Sequence, residues 1–254
     1  LDKGWCKPRA DFHFARCYSD FLYTRLDGSR PRQCRSSELL QAHRGQIDVL
    51  RMMDALRDHG PRAEGNPDWD PSTGRLMDTL CIHASLGPLR PSQSTAAMVA
   101  HLAPDLQTYW LTGTSATCTS IFKPAFLGGA MLPDLGPQPE GTYDPETLWW
   151  FHERLHREGI RDYAGRQPLY REQRDVLEAS FVHEVQDLRA GLGAVDAAER
   201  AERLTALTAS CFERAHQATA RWIEAVSSVP ARNRATIPFR IAWAILNRQA
   251  GFEG

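Results

Sequence analysis

His152, Glu153 and His156, in the stretch FHERLH at 151–156, spell H-E-x-x-H. On a helix the two histidines fall one turn apart on one face, which lets both imidazoles reach a single zinc ion, as in a zinc metallopeptidase. The surroundings favour a different reading. Such an enzyme needs a third protein ligand, and Glu172 and Glu178 are only two among many glutamates. The positions between the glutamate and the second histidine normally face a core and are uncharged. Here Arg154 occupies one of them, and Arg157 follows the second histidine at once. Two guanidinium groups beside a dication are electrostatically unfavourable and hard to bury. The favoured expectation is therefore a solvated helix face whose histidines and arginines cover Trp149 and Trp150, with no metal or other cofactor. Zinc held by His152, Glu153 and His156 is the enzymatic alternative.

A denser constellation lies upstream. LCIHASLGPLRPSQSTAAMVAHL (80–102) and YWLTGTSATCTSIFKP (109–124) bring His83, Ser94, Thr95, Thr112, Thr114 and Thr119 into one region. Hydroxyls on strands can orient a small polar substrate, and the glycine of TGT lets backbone approach a ligand closely. Threonine is also simply a good strand former, and that reading competes at each single position.

The elements that must carry these residues follow from periodicity. DFHFARCYSDFL is amphipathic at helical spacing, with Phe14, Cys17, Tyr18 and Phe21 on one side. RPRQCRSSELLQAHRG and QIDVLRMMDALRDHG predict two helices, the second capped by Asp48, striped by Val49, Met52, Met53 and Leu56, and stopped by Gly60. Residues 61–78 are turn-rich and predict a surface loop. The segments 79–86, 94–103, 108–114 and 119–127 are short and rich in β-branched and aromatic residues, and predict four consecutive strands of an antiparallel sheet. A Pro/Gly linker at 133–145 leads to helices at 145–158, about 168–190, and 195–228, with IPFRIAWAILNRQ closing the chain; Asp144 is the expected cap and Pro145 the first helical residue of the first of these.

The blocks CIHAS, STAAMV, LTGT, SIFKP and QPLYREQRDVLE, with FHFARCYSD before them, resemble in order and spacing the secernins and related cysteine dipeptidases. These belong to the N-terminal-nucleophile hydrolases, with penicillin V acylase and bile-salt hydrolase. The resemblance covers most of residues 4–180. It implies an α+β fold, a four-layer αββα sandwich incomplete at its N-terminus, with residues 1–132 as the C-terminal part of the hydrolase core and 133–254 as linker and helical region packed on it. It also implies amide hydrolysis by a cysteine whose thiol attacks the carbonyl while its own α-amine serves as base. Cys6 and Cys17 do not match that nucleophile, which the resemblance places on an early strand upstream of this sequence. Arg30, in GSRPRQCRSSELL, matches an arginine that holds the thiolate and the developing oxyanion. The implied partners are a small peptide or amide substrate and the upstream segment of the same precursor. A family member without activity would act as a binding module, and the long C-terminal helices offer a surface for a homo-oligomer.

Composition bounds the remaining classes. The 254 residues carry 42% hydrophobic and 24% charged residues with a formal net charge of −1, so no global field favours nucleic acid or an acidic membrane. The Arg30, Arg32 and Arg35 cluster is too small to change that. The six cysteines form no C-x-x-C pair, which speaks against a zinc ribbon or disulfide scaffold and for a reducing cytoplasm. Lysine occurs only at Lys3, Lys7 and Lys123, and the preference for arginine suits a GC-rich bacterial genome. The first residues read like the interior of a domain, and an upstream segment is expected.

Overall fold

The computed structural model describes residues 12–20, 24, 28–74, 76–86, 90–232 and 235–253. Cys6, Phe21, Lys3 and Lys7 lie outside them. The fold is mixed α and β, 53% helical, with one small antiparallel sheet among the described residues, so helix packing has to supply most of the core.

Helix α1 (Phe14–Tyr18) buries no residue. Helix α2 (Ser29–Ala42) follows, and α3 (Val49–Leu56) begins where Asp48 accepts a hydrogen bond from the Arg51 amide at 2.8 Å. The stripe expected of α3 buries Met53 completely. Arg35 of α2 forks onto Asp58, just past α3, through Nε at 3.0 Å and Nη2 at 2.7 Å. Both side chains are only 13% exposed, so this clamp is shielded from the solvent that weakens most surface pairs. Arg35→Ala is expected to cost about 1–2 kcal/mol, seen as a lower urea midpoint at unchanged m-value. An unchanged midpoint would show that α2 docks without it.

Three strands are found where four were expected: β1 (Met98–Leu102), β2 (Gln107–Leu111) and β3 (Lys123–Phe126), in the order β1-β2-β3. The register pairs Val99 with Trp110 and Trp110 with Pro124, so one face presents the buried Trp110 to the core. Segment 79–86 is not a strand. Its backbone is bonded outside any ladder, Cys81 N to Asp58 O at 3.0 Å and Ser94 N to Ile82 O at 2.9 Å. The loop at 61–78 is also not wholly on the surface: Asp70, Pro71 and Ser72 are buried around a short 3₁₀ turn.

Helix α4 (Leu148–Gly159) starts one turn later than expected, because Thr147, rather than Asp144, caps it by accepting from Trp150 N at 3.2 Å. A short α5 (Tyr163–Arg166) leads to α6 (Arg171–Gly191), and Asp196 caps the long α7 (Ala197–Ser228) through the amides of Ala198 and Glu199, both at 2.9 Å. The α7 stripe Leu204, Cys211, Ala215, Ala218, Trp222 and Val226 packs on Phe181 and Val185 of α6, on Trp110 and on Met53, forming the main core. Helix α8 (Ile237–Ala250) closes a second, smaller core with Phe239 and Trp243 over Cys81, Ala84, Ala116, Cys118, Ile160 and Tyr163. The residues able to do chemistry gather in that second core.

Candidate functional site

Two irregular segments and the end of a helix build the site. After α3 the chain runs through Arg57 and Asp58 to His59, then turns at Gly60, whose φ of +82° suits glycine. His59 stacks on Trp69 with ring centroids 4.2 Å apart. The segment carrying Cys81 and His83 is held by Arg90, whose Nε donates to the His83 carbonyl at 3.0 Å and whose Nη1 donates to Pro71 O and Gly74 O, both at 2.8 Å. The loop between β2 and β3 carries Cys118. Arg57 donates to Thr117 O at 3.2 Å and Ser120 O at 3.0 Å, and Arg174 of α6 donates to Cys118 O. Buried carbonyls must find donors, and here three arginine side chains supply them in place of a ladder.

The result is a convergence of His59, Cys81, His83 and Cys118, whose ligand-type atoms all lie within 4.8 Å of one another. His83 Nε2 is 3.1 Å from His59 Nε2, 3.4 Å from Cys118 Sγ and 4.0 Å from Cys81 Sγ. His83, Cys81 and Cys118 are buried, and only His59 is partly open. Burial pushes the Cys81 thiol well up, reinforced by Cys118 beside it. Burial acts the same way on Cys118, but the hydrogen bond with Cys81 and the His83 and His59 rings outweigh it and hold this thiol well below the usual range.

Behind His83 stands the H-E-x-x-H helix. His83 Nδ1 is 3.1 Å from His156 Nε2, His156 Nδ1 is 3.1 Å from Glu153 Oε2, and Arg157 Nε donates to Glu153 Oε1 at 2.9 Å. Burial raises the Glu153 pKa, yet His156, Arg157 and Ser115 together bring it down to about 2. An ionised carboxylate only accepts, so His156 Nδ1 carries a proton, and its Nε2 faces His83 Nδ1. The far nitrogen of His83, Nε2, faces Cys118 and His59.

The solvated face expected for 152–156 is therefore corrected. His152, Glu153 and His156 are 3%, 0% and 0% exposed, and it is Arg154 that meets solvent. Arg157 does not repel a cation there. It neutralises Glu153 and lies over Trp150, Trp243 and Phe252 at 5.0, 5.3 and 5.5 Å. The two motif histidines point apart in function: His152 Nε2 faces Ser120 Oγ at 3.3 Å and Thr119 Oγ1 at 3.4 Å, whereas His156 faces His83. Among the described residues the motif meets no third ligand.

Of the residues expected to hold substrate, His83 alone enters the cluster. Thr112 and Thr114 are buried in the β2–β3 connection, where Thr112 Oγ1 accepts from Ala97 N at 2.8 Å and Thr114 donates to Ser120 Oγ at 2.9 Å. Ser94 Oγ accepts from Ile82 N at 3.1 Å, Thr95 is exposed with its carbonyl bonded to Trp149, and Arg30 is exposed on α2. His59, Cys81 and Cys118 were missed; the C-x-H step at 81–83 was the available signal. No family model matches the chain, and no solved structure matches it. No helix among the described residues is long and apolar enough to cross a membrane.

Proposed function

We propose that this chain is the larger part of a secernin-like, cytoplasmic cysteine hydrolase of the N-terminal-nucleophile class, acting on a small peptide or other amide, with a four-layer αββα core completed by strands from upstream polypeptide. One observation carries the reading. The blocks that bear the resemblance bond to one another in a chain, the last contact spanning 56 positions. CIHAS meets STAAMV through Ser94 N to Ile82 O at 2.9 Å, and STAAMV meets LTGT through Thr112 N to Ala97 O at 3.0 Å. LTGT meets SIFKP through Lys123 Nζ to Thr112 O at 2.7 Å, and SIFKP meets QPLYREQRDVLE through Phe122 N to Glu178 Oε1 at 2.6 Å. Contact between these blocks is what a shared catalytic core requires, and it supports the reading.

In this reading the thiol of an N-terminal cysteine attacks the amide carbonyl, its α-amine takes the thiol proton and passes it to the leaving amine, and water then hydrolyses the acyl-enzyme. Arg30 would stabilise the thiolate and the oxyanion. None of Cys17, Cys34, Cys81, Cys118 and Cys211 sits at the start of a strand, so the nucleophile would come from outside these residues. The zinc-peptidase reading draws no support from the geometry of His152 and His156 described above. Expression of the full-length precursor, with N-terminal sequencing and a dipeptide and acyl-amide hydrolysis assay, tests the proposal. A processed N-terminal cysteine whose replacement by alanine abolishes turnover is expected. A mature chain with no processed Cys, Ser or Thr at a strand start overturns the hydrolase reading in favour of a binding module.

A further inference from the structure

We propose that His59, Cys81, His83 and Cys118 form a closed Cys₂His₂ zinc site, and that the H-E-x-x-H residues His156 and Glu153 serve it from behind by orienting His83 rather than by ligating metal themselves. The inference does not rest on the hydrolase reading.

Geometry, donor type and charge agree. A tetrahedral zinc with nitrogen ligands at about 2.0–2.1 Å and thiolates at about 2.3 Å places nitrogens roughly 3.3 Å apart and nitrogen and sulfur roughly 3.6 Å apart. The observed 3.1 Å between the two imidazole Nε2 atoms, and 3.4 and 4.0 Å from His83 Nε2 to the two sulfurs, bracket those edges. Two thiolates and two neutral imidazoles balance the charge of Zn²⁺, which suits a centre buried under Phe239 and Trp243. Binding releases the protons still held by the Cys81 and Cys118 thiols to solvent. All four positions are filled by protein, as in structural rather than catalytic zinc sites.

The relay supplies an independent argument. A metal-bound imidazole donates its other N–H to an oriented acceptor, commonly backed by a carboxylate. His83 Nδ1 faces His156 Nε2, His156 Nδ1 faces Glu153, and Arg157, Ser115 and Gln93 hold Glu153 in turn. With metal on Nε2, His83 would have its other nitrogen already placed on an oriented partner backed by a carboxylate.

The test uses the folded chain stripped with a chelator, then titrated with Zn²⁺ and, separately, Co²⁺. Expected are one equivalent of zinc, tetrahedral ligand-field bands with thiolate-to-cobalt charge transfer, and protection of two thiols from alkylation by the metal. Cys118→Ser and His59→Ala should lose the bound metal, and Glu153→Gln should weaken zinc by about 10–100-fold while keeping the cobalt spectrum tetrahedral. His152→Ala should bind as the parent does. Absence of stoichiometric zinc, a cobalt spectrum without thiolate charge transfer, a Cys81–Cys118 disulfide in the protein as isolated, or loss of metal in His152→Ala each overturns the proposal. The cobalt spectrum and thiol protection of the unaltered protein decide the matter even where a variant fails to fold.

Discussion

Glu178→Ala should destabilise the protein by about 3–5 kcal/mol, a large part of the stability of an ordinary domain. Glu178 is 2% and Arg57 8% exposed in their side chains, and the carboxylate accepts from both Arg57 Nη2 and the Phe122 amide. Removing it leaves a buried guanidinium and a buried amide without their shared acceptor, and the guanidinium is the costlier orphan. The loss extends to the site, because the same Arg57 holds the Thr117 and Ser120 carbonyls on either side of Cys118 and Thr119. Urea unfolding of three proteins separates the terms. Glu178→Gln, which can still accept from Phe122 N–H, should fall between parent and alanine variant. Arg57→Met with Glu178→Met should recover part of the loss, since no charge is then left unpaired. A cost below about 1 kcal/mol for Glu178→Ala would mean that the pair is solvated in solution.

Lowering the pH from 7 to 5 should cost about 2 kcal/mol through His152 alone. Burial, with Lys123 and His156 adding to it, brings the His152 pKa from 6.5 down to about 3, while Glu153 and Cys118 oppose the shift. His216 of α7 lines the same small void. Because the folded pKa is the lower one, the unfolded chain binds the proton first. Stability is then full above pH 6.5 and falls by about 1.4 kcal/mol per pH unit as pH drops from there toward 3. Lys123 works in a higher window. Burial lowers its pKa from 10.5 to about 7, so the unfolded state again holds more protons, and stability climbs between pH 7 and 10.5. His152→Gln should flatten the acid slope between pH 5 and 7, and Lys123→Met the alkaline one. Parallel stability profiles for parent and His152→Gln would show that His152 titrates normally and is not buried as described.

The parts of the fold governed by local chemistry were legible in the sequence. Asp48 caps its helix as its position suggested, the α3 and α7 stripes face the core, the strand at 98–102 falls within the segment read for it, and the strand at 107–111 overlaps the segment at 108–114. The errors occur where tertiary bonding overrides texture. Residues 79–86 have a strand's composition, but Asp58, Ser94 and Arg90 satisfy their backbone one group at a time, and no neighbouring strand is involved. The face of α4 was misjudged because spacing alone does not say which arginine is outside: Arg154 is exposed, and Arg157, three positions on, is folded over aromatics. His59, Cys81 and Cys118 are separated by 22 and 37 positions, and nothing short-range relates them. Their meeting depends on buried arginines that also look, in sequence, like ordinary surface charges.

The roof over the second core sets a schedule for synthesis. Trp243 Nε1 donates to the carbonyl of Ala84 across 159 positions, and Thr236 N donates to Ser72 Oγ across 164. At the usual translation speed of about 5–20 residues per second, roughly 8–30 s pass between the emergence of Ala84 and that of Trp243. Throughout that interval Cys81 and then Cys118 have left the ribosome without the helix that later covers them. The nascent chain therefore passes through a period in which the Cys81 and Cys118 sulfurs lack this cover, and the docking of residues 237–250 ends it.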